Sequence, residues 1–146
     1  MENQTLKTIK AGSICTVENG NGKFGIVKVL VIDDKQIHVT IYKNKYDLRP
    51  SQIDLSTLSC GSLYDADEEI GVGHAPLFRE GFNNWKPIVI DYEEVTSDNL
   101  DGYEIWKNDP RAGLWPVSCT LCDLAEACRI ARKRSTTSRD FFCPFC

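Results

Sequence analysis

The stretch from Lys23 to Ile32 constrains this chain most, because it is apolar on both of its alternating faces. Phe24, Ile26, Leu30 and Ile32 fall on one side, and Val27, Val29 and Val31 on the other. That pattern predicts a central strand buried on two sides. The neighbouring segments read as its antiparallel partners. Ser13 to Glu18 predicts a short strand, and Asn19-Gly20-Asn21-Gly22 supplies residues that tolerate the positive φ of a tight hairpin. Asp33-Asp34-Lys35 turns the chain again. Gln36 to Tyr42 then alternates, with Ile37, Val39 and Ile41 inward and His38, Thr40 and Tyr42 on the opposite face. Three adjacent strands joined by short turns make a meander.

Further along, Gly71-Val72-Gly73-His74-Ala75-Pro76 reads as loop. A helical turn follows from Pro76, with Phe78, Phe82 and Trp85 at i, i+4 and i+7. Pro87 to Tyr92 predicts another strand, with the proline at its start. Ser97 or Asp98 caps a helix running to about Lys107, with Leu100, Tyr103 and Trp106 on one face. The fold class is therefore α+β: a small twisted antiparallel sheet, closing toward a barrel as one option, with one or two short helices. The expected core is Ile26, Val29, Val31, Val39 and Ile41, with Phe78, Trp85, Tyr103 and Trp106 packed onto or around the sheet.

The chain divides in two at residue 115. Residues 1–115 form the α+β domain, and residues 116–146 a basic, cysteine-rich tail. The charge follows the division: residues 1–118 hold 12 basic and 18 acidic side chains, whereas residues 119–146 hold five basic and three acidic ones. The larger part should repel nucleic acid. The N-terminal residues lack the apolar stretch of an export signal, and the longest apolar run, Val29 to Ile32, is far too short for a membrane span. A cytoplasmic location follows, in which the seven cysteines stay reduced and suit metal ligation better than disulfides.

Five of those cysteines lie in the tail, as Cys119-Thr-Leu-Cys122, Cys128 and Cys143-Pro-Phe-Cys146. The 20 residues between the two pairs match the spacing at which two turns offer four thiolates to one tetrahedral zinc ion. Cys119, Cys122, Cys143 and Cys146 are the predicted zinc ligands. The tail resembles a zinc-ribbon-like module. Chance alignment in a non-functional extension and a disulfide framework are the blander readings. A redox pair at Cys143 and Cys146 lacks the following helix that would lower a thiol pKa. Leu124, Ala127, Cys128 and Ala131 recur at helical spacing, which makes Cys128 a small core residue before a ligand. Arg129, Arg132, Lys133 and Arg134 lie on or just beyond the other side of that helix and offer a nucleic-acid surface as the alternative use of the tail.

Catalytic signals are sparse. His38 reads as a surface or sheet-edge residue and His74 as a loop residue. Nothing in the spacing of Cys60 and His74 supports a nucleophile and base, and Gly71-Val-Gly73 lacks the residues of a phosphate loop. Asp65, Asp67, Glu68 and Glu69 form an acidic cluster that, with His74, is the candidate partner-binding surface.

His38-Val-Thr-Ile-Tyr42-Lys-Asn-Lys, Gly71-Val-Gly-His-Ala-Pro-Leu77, Trp85-Lys-Pro87 and Leu100-Asp-Gly-Tyr103-Glu-Ile-Trp106 together resemble a poorly characterised group of small bacterial proteins. The resemblance spans about Ala11 to Trp115 and extends distantly to immunity proteins of polymorphic-toxin systems, which neutralise a toxin by binding it. It implies no established catalytic residue. The tail departs from the pattern. The expectation is thus a non-enzymatic, protein-binding module of inhibitor or immunity type with a basic toxin or nuclease as partner. A zinc-dependent nucleic-acid binder and a small enzyme using His74 are the alternatives.

Overall fold

Gly20 and Gly22 adopt φ values of 99° and 86°, the left-handed backbone that the hairpin sequence predicts. They turn β1 (Ser13–Glu18) into β2 (Phe24–Ile32) in a computed structural model that describes residues 8–60, 71–121 and 123–124. Asp33 makes the next turn, its carboxylate accepting from the Lys35 and Gln36 N–H groups, and leads into β3 (Gln36–Tyr46). Then come β4 (Val72–Phe78), the short helix α1 (Arg79–Asn83), β5 (Ile88–Tyr92) and α2 (Asp101–Lys107), the last entered through a 3-10 turn at Asp98–Leu100. The strands form one antiparallel sheet in the order β4-β3-β2-β1-β5. β4 and β5 do not pair with each other, so the described sheet is open and not a barrel.

Two expectations about this sheet need correction. Gly71 to Pro76 is not loop: it supplies most of β4. Proline is tolerated here because β4 is an edge strand. The Pro76 carbonyl points outward and accepts the Trp115 N–H at 3.0 Å, so the missing proline N–H lies on the same outer side and β3 loses no bond. Val31, expected in the core, is only partly buried. The register shifts between Val29 and Val31, so that Val29 pairs with Val39 but Val31 with His38. That bulge moves Val31 off the face it would otherwise share with Val29.

The two faces of the sheet differ. One buries Cys15, Val17, Val27, Val29, Val39 and Ile41 beneath Phe82 and Trp85. Each fully buried aliphatic or phenyl side chain contributes about 1.5–3 kcal/mol over the exposed state. Leu121 and Leu124, which belong to the tail by sequence, are fully buried in this same cluster. Phe78, expected to pack, is instead 38% exposed. The other face holds Ile14, Ile26 and Leu30 together with buried Thr16, Lys28, His38, Thr40 and His74, as the pairing of Ile14 with Lys28 and Lys28 with Thr40 requires. Residues 93–106 cover it.

Candidate functional site

The polar face is built around one buried cation, Lys28, and two buried histidines, His38 and His74. Lys28 is 2% exposed, yet all three of its ammonium donors are used. They reach Glu93 Oε1 at 3.0 Å, the Glu94 carbonyl at 2.9 Å and Asn99 Oδ1 at 2.9 Å. This satisfies a charge that would otherwise be very costly to bury. It also ties the end of β5 to the turn before α2, which fixes α2 over the sheet.

His38 and His74 lie side by side beneath that helix. His38 is not at the surface, as the alternation of β3 suggests, but 1% exposed. β4 flanks β3 on its outer side and α2 covers the face, so β3 is neither an edge nor a solvent-facing strand. His74 sits on β4, not in a loop, and is 2% exposed. The two rings stack with centroids 5.1 Å apart, and His38 Nδ1 lies 2.9 Å from His74 Nε2. His38 Nε2 lies 3.1 Å from Gln36 Oε1. Tyr103 and Trp106 meet the His38 ring edge-on at 4.8 and 4.6 Å, and the Trp106 indole N–H is held by the Gly113 carbonyl. Gly102 permits this approach: a Cβ there would come within 2.6 Å of His74 Cβ.

With the Gln36 amide oxygen facing His38 Nε2, that nitrogen carries the proton and Nδ1 does not; turning the amide over would reverse both roles. His74 Nε2–H therefore donates to His38 Nδ1, and His74 Nδ1 is left as a bare lone pair. Burial drives both pKa values down, His38 to about 4 and His74 to about 3, the latter also through the charge of His38. Both rings are neutral near pH 7. A base this weak is poorly matched to proton abstraction at neutral pH.

Beside His74 opens a cleft of about 340 Å³, lined by Thr40, Tyr42, Cys60, Asp98, Asn99 and Asp101 among others. The fold thus brings Cys60 and His74 to one cleft although their spacing in sequence gave no reason to join them. Tyr42 stays a neutral phenol, its pKa pushed up to about 12 by burial and by Cys60 and Glu93. Thr40 donates to the Gly73 carbonyl at 2.9 Å and is spent structurally.

Of the predicted zinc ligands, Cys119 lies within the described residues and Cys122, Cys143 and Cys146 lie outside them. Cys119 is partly buried, and its carbonyl accepts the Trp85 indole N–H at 2.8 Å. Its thiol is pushed up to about 11 by burial and by Asp123. Among the described residues, no group of three or more His, Cys, Asp or Glu side chains is placed to hold a metal ion. Cys15 is a core thiol, raised to about 12 by burial and so inert. Asp65, Asp67, Glu68, Glu69, Cys128, Arg129, Arg132, Lys133 and Arg134 also lie outside the described residues.

A second acidic region, unmarked in the sequence reading, emerges from the fold. Asp91, Glu93, Glu94, Asp98, Asp101 and Glu104 are all exposed, and residues 91–104 contain no lysine or arginine. Tyr92 and Ile105 are 50% and 58% exposed beside them. The signal is a run of carboxylates in the sequence; in the fold Lys28 ties Glu93 and Glu94, just after β5, to Asn99, just before α2. No helix among the described residues is long and apolar enough to cross a membrane. Comparison with protein-family models, curated proteins and solved structures finds no match.

Proposed function

We propose that this protein is a non-enzymatic binding module of inhibitor type that engages a basic protein partner. The observation that carries the reading is the run of residues 91–104, with six exposed carboxylates and no lysine or arginine within it. Tyr92 and Ile105 are exposed beside them, Lys10 and Lys107 approach the Tyr92 and Tyr103 rings, and Lys28 pairs with Glu93. Acidic surfaces of this kind steer a basic partner and compete with phosphate for the same cleft. The edge strand β5, which pairs with β1 alone among the described residues, contributes its last two residues, Asp91 and Tyr92, to that surface. The low basicity of His38 and His74 weighs against the enzyme alternative. The cluster Asp65, Asp67, Glu68 and Glu69 extends the same acidic character in sequence. The resemblance to immunity proteins agrees with this reading.

The tail belongs to the proposal as a zinc-held module on Cys119, Cys122, Cys143 and Cys146. Cys119 fits this role because the Trp85 bond fixes its backbone at the domain surface while its thiol stays partly accessible. A raised thiol pKa of about 11 means that a bound cation is needed to hold it as thiolate. Four thiolates close the coordination sphere, so the zinc supplies folding energy and no open catalytic position.

Purification of the full chain from its native source tests both parts. The expected result is a co-purifying basic protein and about one zinc per chain. Changing Asp91, Glu94 and Glu104 to their amides should slow association about tenfold at low salt, with little effect on stability. A chain that captures no protein, and binds nucleic acid until Arg129, Arg132, Lys133 and Arg134 are neutralised, would make the tail the functional centre instead.

A further inference from the structure

The cleft beside His74 shares Asp98 and Asp101 with the acidic surface, and its chemistry points to a small ligand. We propose that it binds a primary alkylammonium group, which donates to His74 Nδ1 while Asp98 and Asp101 supply the counter-charge. The proposal is separate from partner binding by Asp91, Glu94 and Glu104, none of which lines the cleft.

Three observations carry it. First, His74 is 2% exposed and lines the cleft, and with the Gln36 amide oxygen facing His38 the hydrogen bonds leave His74 Nδ1 as an acceptor. That atom has no hydrogen-bond partner among the described residues. It is not sealed either: the one buried and unpartnered side-chain oxygen or nitrogen among them is Asn19 Oδ1. Nδ1 therefore faces the cleft. Second, the lining side chains include the carboxylates of Asp98 and Asp101, and none of those described is basic. Lys28 lies nearby, but its three donors are consumed by Glu93, Glu94 and Asn99. The cleft is thus rich in acceptors and negative in charge. Third, its volume of about 340 Å³ sits at the small end of ligand pockets.

The acceptor geometry selects among cations. A guanidinium presents a planar fork that matches two parallel acceptors, as on one carboxylate. A single ring lone pair with two separate carboxylates suits a compact ammonium, whose three donors rotate freely. Because His74 is neutral at pH 7, it accepts from such a group and does not repel it. The alkyl stem would lie along Tyr42.

The chain has only two histidines, so the four imidazole nitrogens can be followed directly by 15N NMR on the full-length protein. Butylammonium at pH 7 should shift the His74 Nδ1 resonance saturably, while neutral 1-butanol should not. Asp98→Asn with Asp101→Asn, two exposed changes, should weaken the response about tenfold. Nα-acetyl-lysine methylamide separates the two sources of the group. An equal or stronger response to it assigns a lysine on a protein partner, whereas a response to butylammonium alone assigns a free amine. Both outcomes support the site. A silent His74 Nδ1, an equal response to 1-butanol, or a response to zinc ion but not to butylammonium would overturn it. Loss of the ammonium response with partner capture intact leaves the acidic-surface reading standing.

Discussion

The two faces of the sheet are made by the same strands and stabilised by different physics. On one face, aliphatic side chains from β1 to β4 meet Phe82, Trp85, Leu121 and Leu124, and stability comes from area removed from water. On the other, Lys28, His38, Thr40 and His74 are also buried, and each places polar atoms on specific partners, with His74 Nδ1 left over at the cleft. Burial on the first face asks only for volume and shape. Burial on the second asks for particular partners at particular distances: Glu93, Glu94 and Asn99 for Lys28, and Gln36 and His74 for His38. The polar face is where a sequence of ordinary composition holds unusual chemistry, and it adjoins the cleft.

The comparison breaks first at the apolar face. Leu121→Ala or Leu124→Ala should each cost about 2–5 kcal/mol in urea unfolding, because each empties a sealed site in the main core. A loss below about 1 kcal/mol would show that the domain does not use residues beyond 116 in its packing.

Acid should distinguish the polar face next. His38 and His74 titrate in the folded protein at about 4 and about 3, below the ordinary 6.5 of the unfolded chain. Between these values the unfolded state binds more protons, so stability is complete above about pH 6.5 and falls as pH drops toward 4. The expected slope is on the order of 1 kcal/mol per pH unit for each histidine. Carboxylates add their own acid dependence at lower pH, so the window above pH 5 is the diagnostic one. A flat stability profile from pH 7 to 5 would mean that the pair is hydrated.

The smallest effect concerns Lys28. Lys28→Met leaves the Glu94 carbonyl without this donor and removes one of two donors from Asn99 Oδ1, which keeps the Thr96 N–H, and should cost about 1–3 kcal/mol. Solvent reaches the Glu93 side chain, 49% exposed, and limits the loss. The same variant should loosen α2, seen as faster amide exchange at residues 98–107. Unchanged exchange there would show that Tyr103 and Trp106 alone hold the helix down.

Strand identity and order within the first meander were legible because alternation and the glycine turn act over a few residues. Ser13–Glu18 has the bounds its sequence predicts, and the aromatic spacing points to the helix ending at Lys107, but neither Ser97 nor Asp98 caps it: α2 begins at Asp101, after a 3-10 turn, with no side-chain cap. β4 was not legible. Gly71, Gly73 and Pro76 are loop residues by local preference, and only the edge position, with the outward carbonyl of Pro76 on Trp115, makes a strand affordable there. His38 failed for the same reason: a polar residue on an alternating strand looks outward until a second layer covers it.

By itself the sequence determined the central two-sided strand, the hairpins and the separation of charge along the chain, since each rests on neighbours within a few residues. Tertiary structure alone decided that β5 returns to pair with β1, that Gly102 lets α2 close on His74, and that Cys60, Asp98 and Asp101 share a cleft with it. These depend on contacts between residues far apart in the chain, whose strength comes from partners that a local pattern cannot show.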